Sequence, residues 1–93
     1  MNMHTWRLSD KSPKRIDKSL YDSERNFAIP YAVIEDIDLS FKTRATLAFF
    51  YCFEKDITVK DITSICSDSA RSIRKSLREL EESGYIVRVK AGE

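Results

Sequence analysis

The sequence is poor in the residues from which most catalytic and cofactor sites are built. It contains two glycines and one histidine among 93 residues. Loops that cradle a phosphate or a dinucleotide use more glycines than this. The single histidine, His4, lies in the N-terminal segment and has no second histidine with which to hold a metal ion or pass a proton. We therefore expect a small binding module rather than an enzyme, with no cofactor and no metal.

Long apolar runs and an excess of charge of one sign are missing as well. No apolar run approaches the roughly 18 residues of a membrane span, and residues 1–10 are too polar for a secretion signal. Lysine and arginine number 16 against 15 aspartate and glutamate, a formal net charge of +1. This balance argues against a uniformly basic protein that coats nucleic acid. The chain is expected to be cytoplasmic and to have no membrane partner.

Cysteine is also scarce. Cys52 and Cys66 stand fourteen positions apart, outside the spacing of a CxxC or paired metal motif. Free cysteines in a reducing cytoplasm usually behave as small buried hydrophobic residues. Two buried thiols are therefore expected. A disulfide is the alternative, but nothing marks the chain as exported.

The hydrophobic pattern changes near residue 26. Residues 1–26 have no strong periodicity and are predicted to form a partly ordered N-terminal arm. This arm either contains a short helix over residues 13–21 or is a mobile segment anchored by Trp6. Residues 27–93 are predicted to form one domain, because a chain of this length has room for a single modest core.

The first firm helix is predicted over residues 40–54, where a capping serine precedes a run without glycine or proline. This helix is apolar on two sides. One side carries Phe41, Ala45, Ala48, Phe49 and Cys52, and the other carries Leu47, Phe50 and Tyr51. Such a helix is normally covered on both sides. Either the N-terminal segment or a second subunit would supply the second cover, so a homodimer through Leu47, Phe50 and Tyr51 is one expectation.

A short helix follows over residues 59–66. Thr58 and Asp61 have the spacing of a capping box, in which side chain and backbone satisfy each other at the start of a helix. Its inward residues are expected to be Val59, Ile62, Ile65 and Cys66. The next three residues, Ser67, Asp68 and Ser69, favour turns and helix caps.

The third helix is predicted over residues 69–83, and Gly84 ends it. Alternation over residues 85–90 then predicts a strand. The apolar stripe of this helix consists of Ala70, Ile73, Leu77 and Leu80. At about 100° per residue, a row of cations lies roughly 130° away from that stripe. This basic row consists of Arg71, Arg74, Lys75 and Arg78.

The order of helix, short helix, turn, longer helix and strand is that of a winged helix-turn-helix. Residues 61–86 resemble the winged-helix signature of bacterial and phage proteins, most specifically over residues 72–86, where Leu-Arg-Glu-Leu-Glu-Glu precedes a serine, a glycine and a tyrosine. Residues 29–30 and 42–45 also resemble domains of phage and plasmid replication initiators and small regulators. The resemblance covers about residues 27–90. It implies a mainly α fold with a small β element: three core helices and a short wing strand.

Two positions depart from this signature. Ser67 stands where the turn usually has glycine, and Asp68 stands where it usually has a buried hydrophobic residue. The wing is short, since only one of its strands is visible in the pattern. Residues 27–29 are a candidate to pair with residues 85–89.

In such a domain the basic row contacts duplex DNA. Arginine forks bind the edge of guanine through two hydrogen bonds, and all four cations can neutralise phosphates. The predicted DNA-binding residues are Ser69, Arg71, Ser72, Arg74, Lys75, Arg78, Arg88 and Lys90. The competing interpretation is a solvated amphipathic helix whose cations pair with Glu79, Glu81 and Glu82.

Two functions follow from these patterns. The leading hypothesis is a sequence-specific, double-stranded DNA-binding protein that acts in transcription regulation or replication initiation, as a dimer, in a bacterial or phage-infected cell. The alternative is a winged-helix protein–protein adapter, or a phage-encoded inhibitor of the anti-CRISPR type, that binds a host protein complex. The near-zero net charge, the second apolar side of the first helix and the turn at Asp68 favour the alternative.

Overall fold

A two-stranded antiparallel sheet joins the two ends of the described chain. The structure, a computed structural model, describes residues 4–90 except for the side chain of residue 90. Strand β1 (His4–Leu8) pairs with strand β2 (Ile86–Lys90), and Trp6 lies opposite Arg88. The other edge of β1 forms an isolated bridge, in which Trp6 and Ile57 exchange backbone hydrogen bonds of 2.9 and 2.8 Å. The partner of β2 is therefore β1, and the expected pairing with residues 27–29 is wrong.

The segment predicted as an N-terminal arm supplies this strand and a core side chain. Trp6 is 5% exposed and belongs to the hydrophobic core. Of the helix considered over residues 13–21, only Lys18–Leu20 forms a turn of 3-10 helix. The intervening segment is held by side-chain bonds to backbone: the Ser12 hydroxyl donates to the Tyr85 carbonyl, and the Tyr51 hydroxyl donates to the Pro13 carbonyl across 2.7 Å.

Four α-helices lie between the strands: α1 (Tyr31–Glu35), α2 (Phe41–Cys52), α3 (Val59–Thr63) and α4 (Ala70–Glu82). Together with the small sheet they confirm a mainly α fold with a small β element. None of the helices in the described residues is long and apolar enough to cross a membrane.

The helices begin where the sequence places their caps. The hydroxyl of Ser40 accepts from the Thr43 N–H at the start of α2, and the capping box of Thr58 and Asp61 is complete at the start of α3. Helix α3 is shorter than predicted, because the chain tightens after Thr63: the Ile65 N–H bonds to the Ile62 carbonyl, three residues back.

Helix α4 ends in a Schellman motif at Gly84. This glycine has a φ of +84°, a left-handed conformation that costs a residue with a side chain about 1 kcal/mol or more. Its N–H bonds to the Glu81 carbonyl, and the Tyr85 N–H bonds to the Leu80 carbonyl, which satisfies two carbonyls that the helix leaves free. The chain is thereby turned directly from α4 into β2.

The core lies between α2, α4 and the sheet. The α2 residues Leu47, Phe50 and Tyr51 are at most 5% exposed. They pack with residues of α4 and the strands, including Ile73, Leu77, Leu80, Trp6 and Ile86. The expected homodimer through Leu47, Phe50 and Tyr51 is therefore wrong, because the chain itself covers this side of α2.

Both cysteines are free and exposed, so their predicted burial is wrong. Cys52 ends α2 on the side away from the core, and Cys66 lies beyond the early end of α3. The same early end leaves Ile65 66% exposed, although it was expected to point inward.

Candidate nucleic-acid interface

The basic row lies on the outer side of α4. Ile73, Leu77 and Leu80 are buried and fix which side of the helix faces the core. The cations stand at i, i+3, i+4 and i+7, which places them on one side of a helix of 3.6 residues per turn. All four are exposed: Arg71, Arg74, Lys75 and Arg78.

Two carboxylates that follow the basic row on α4 bond to other partners. Glu79 accepts a hydrogen bond of 2.8 Å from the Thr43 hydroxyl on α2, and Glu81 accepts from Trp6 and Arg88. Among the described residues, no ion pair involves a cation of the row. The pairing that defines the competing interpretation is therefore not formed, and the row presents its charge to solvent.

Six side chains predicted to bind DNA line one concave surface. A shallow depression of about 530 Å³ runs along α4, and its lining residues are Ser69, Arg71, Ser72, Arg74, Lys75 and Arg78. Ser69 has a structural role there, because its Oγ accepts from the Ser72 N–H across 3.1 Å and caps α4. A capping hydroxyl keeps its own proton, so Ser69 can still donate to an anion at the start of the helix.

Arg88 is engaged elsewhere. Its guanidinium donates to Glu81 Oε1 from 3.0 Å and lies 5.6 Å from the centre of the Trp6 ring. These contacts join β2 to the last turns of α4, and the structure does not bring Arg88 into the depression. The side chain of Lys90 lies outside the described residues. The DNA-binding roles of both residues stay predictions.

The carboxylate of Glu81 remains charged in this cluster. Burial raises its pKa, but the hydrogen bonds from Trp6 and Arg88 and the charges of Arg88 and Arg78 outweigh burial, so its pKa lies below the usual value. Glu81 thus holds Arg88 by an ion pair of 3.0 Å, whereas Arg78 acts on it only through its charge.

The turn before α4 contains Asp68, one of the two departures from the winged-helix signature. Asp68 does not cap α4. Its carboxylate instead forms a 2.9 Å ion pair with Lys42 near the start of α2. This pair ties the turn to α2 and lowers the negative potential of Asp68 beside the basic row. The patterns considered from the sequence did not point to this role of Lys42, since the two residues lie 26 positions apart.

Two further contacts position α4, and no local sequence pattern predicts either of them. The Thr43 hydroxyl lies 3.4 Å from Ser76 and bonds to Glu79, so a polar contact crosses the interface between α2 and α4. The Tyr85 hydroxyl donates to Asp36. This bond raises the pKa of Tyr85 to about 12 and lowers that of Asp36, and it holds the corner after α4 against the loop that follows α1.

Comparison with known proteins adds no family to this description. No protein-family model, no curated protein and no solved structure matches the chain. The candidate interface is therefore interpreted from its own residues.

Proposed function

We propose that the chain is a double-stranded DNA-binding protein of the winged helix-turn-helix type, with α4 as its recognition helix. One observation carries this proposal: four cations lie exposed along one side of α4, form no ion pair with any residue of 4–90, and line a depression together with Ser69 and Ser72. In this interpretation α3 and α4 with the turn between them form the helix-turn-helix, and the two-stranded sheet forms the wing.

The dimensions of α4 suit the major groove. Its 13 residues correspond to about 20 Å of helix, and the groove is about 12 Å wide. Phosphate contacts would set the position of the helix on the duplex, and contacts with base edges would provide sequence preference. Ser69, Arg71, Ser72, Arg74 and Lys75 are the candidates for base contacts, because they lie in the leading half of the helix.

Duplex DNA fits this surface better than a single strand does. Single-strand binders stack bases on exposed aromatic rings next to their cations, whereas within residues 4–90 no aromatic side chain lines the depression along α4. The biological setting we propose is transcription regulation or replication initiation in the cytoplasm of a bacterial or phage-infected cell, where binding acts through occupancy of a DNA site.

The test is the affinity for a fluorescent duplex at two salt concentrations. Wild-type affinity is expected to fall about a hundredfold between about 50 and about 200 mM salt. The reason is that each neutralised phosphate contributes about −0.9 to the slope of log affinity against log salt concentration. A triple variant with Arg71→Ala, Arg74→Ala and Lys75→Ala is expected to lose most of the binding. The matched control replaces three exposed cations outside α4: Lys11→Ala, Lys14→Ala and Arg25→Ala. Equal losses in the two triple variants, or no duplex binding by the wild type, would reject the proposal.

A protein–protein adapter is the second candidate. The exposed apolar residues of α1 and α2, among them Tyr31, Ile34 and Phe41, favour it. An adapter would bind its partner with little salt dependence, and the three alanine substitutions in α4 would leave that binding unchanged.

A further inference from the structure

A broad apolar face remains exposed on α1, on the loop after it and on the outer side of α2. Ile37 is 87%, Phe41 82%, Tyr31 77% and Ile34 50% exposed. On α2 this face continues along Phe41, Ala45, Ala48 and Cys52, which at about 100° per residue lie opposite the side that carries Leu47 and Phe50. Helix α2 is thus apolar on two opposite sides but covered by the chain on one of them only, which is unusual for a helix in an isolated chain.

The face contains both a projection and a depression. Ile34, Phe41, Arg44, Ala45 and Ala48 line a groove of about 250 Å³ between α1 and α2. Arg44 is the one charged residue that lines this groove. Its guanidinium already donates to the carbonyls of Ile34 and Leu39 within the same chain, at 2.8 and 3.1 Å. The small side chains of Ala45 and Ala48 form the bottom of the groove, and the ring of Phe41 projects from one end of it.

We infer that this face binds the same face of a second copy of the chain, through antiparallel packing of the two α2 helices about a two-fold axis near Ala45. A two-fold interface requires a self-complementary surface. Here the axis would place each Phe41 ring in the groove of the other copy, above Ala45 and Ala48. The close approach of the helices depends on those two small side chains.

The area of the face fits such a dimer. Aromatic side chains present about 150–250 Å² each; the two aromatic residues and the two isoleucines of the face together expose on the order of 600 Å². This is at the upper end of the largest patch on a typical monomer, about 300–600 Å². It approaches the about 800 Å² that each partner buries in a stable interface.

The dimer does not depend on the proposed function. Helix α4 packs on the opposite side of α2, against Leu47 and Phe50, so the two basic rows would remain exposed in the dimer. A failure of dimerisation therefore leaves the DNA-binding proposal intact, and a failure of DNA binding leaves the dimer intact.

The first experiment measures mass by sedimentation equilibrium across a wide range of protein concentration. The wild type is expected at twice 10.8 kDa. Phe41→Glu is expected to be monomeric and folded, because Phe41 is exposed and a glutamate at the first position of a helix is favourable. The control, Leu20→Glu, changes a residue that is 75% exposed on the 3-10 turn and should remain dimeric. A monomeric wild type at every concentration, or a dimeric Phe41→Glu variant, would overturn the inference.

The second experiment locates the axis by disulfide formation. In a background of Cys52→Ser and Cys66→Ser, Ala45→Cys is expected to oxidise to a covalent dimer, since residues at a two-fold axis bring their Cα atoms within about 7 Å. Lys60→Cys, an exposed position on α3, is the control and should remain monomeric on a denaturing gel. Equal cross-linking at both positions, or none at position 45, would contradict the proposed face.

Discussion

The indole N–H of Trp6 donates to Oε1 of Glu81 across 2.7 Å. The donor lies in β1 and the acceptor in the last turn of α4, so this hydrogen bond joins the first strand to the last helix of the described residues. The guanidinium of Arg88 donates to the same oxygen. The sheet is therefore fixed to the helix that carries the basic row, and the orientation of that helix depends on a residue near the N-terminus.

Removing the Trp6 side chain is expected to destabilise the whole domain. Trp6→Ala should lower the free energy of unfolding by about 3–5 kcal/mol, because it empties a buried site. Trp6→Phe keeps a ring but loses the N–H, and should cost about 1–2 kcal/mol. Urea unfolding followed by circular dichroism measures both, with His4→Ala, an exposed change on the same strand, as control. If Trp6→Ala costs no more than the control, β1 does not pack as described.

The basic row is expected to contain residues that read sequence. Arg74 is exposed within the depression along α4. Arg74→Ala should therefore weaken binding to a duplex that has been selected from a random pool by about 1–3 kcal/mol. The loss of affinity for unselected duplex DNA should be smaller. Arg88→Ala should have a smaller effect on binding, because Glu81 and Trp6 already engage that guanidinium. Fluorescence anisotropy with both duplexes gives the comparison. Equal losses on the two duplexes would assign Arg74 to phosphate contact.

Asp68 is expected to weaken DNA binding in the native chain. Its carboxylate lies next to the capping Ser69 and forms an ion pair with Lys42. Asp68→Asn removes a negative charge and leaves Lys42 able to contact a phosphate, so affinity should rise and the salt slope should steepen by about 1. The cost in stability should be small, about 0–1 kcal/mol for an exposed pair. Asp38→Asn, an exposed acid in the loop after α1, should change neither quantity.

The features that the sequence predicted correctly depend on neighbouring residues. Ser40, Thr58 with Asp61, and Ser69 each satisfy backbone groups within their own first turn, so their patterns mark helix starts without knowledge of the rest of the fold. Gly84 likewise marks the end of α4 through its own conformation. The basic row on α4 could be predicted for the same reason, because its spacing is helical.

The features that the sequence missed depend on distant residues. Strand β1 has a single buried side chain, Trp6, and its partner Arg88 lies 82 positions away, so no local pattern marks the strand. The core side of α2 could not be assigned because the helix carries apolar residues on two opposite sides. The core side is in fact marked by two buried threonines, Thr43 and Thr46, which hydrophobicity alone would place outside.

The bond between Tyr85 and Asp36 predicts a dependence of stability on alkaline pH. The hydrogen bond to Asp36, with burial and the charge of that carboxylate, raises the pKa of Tyr85 from 10.0 to about 12. A group whose pKa is raised by folding stabilises the folded state fully below the unfolded pKa, and this contribution is lost as pH rises through the folded pKa. Stability due to this group should therefore be constant up to about pH 10 and fall between about pH 10 and about pH 12.

The measurement is the difference in urea midpoint between the wild type and Tyr85→Phe, taken at several pH values across that window. The variant lacks the bond and should be less stable at neutral pH, but the difference should shrink as pH rises, because the wild type loses the bond on ionisation. Tyr31→Phe is the control: Tyr31 is 77% exposed and takes no part in the bond between Tyr85 and Asp36, so this variant should match the wild type at every pH. If the difference in urea midpoint between wild type and Tyr85→Phe stays constant to about pH 12, the Tyr85 hydroxyl does not bond to Asp36. The corner after α4 would then be held by the backbone turn alone.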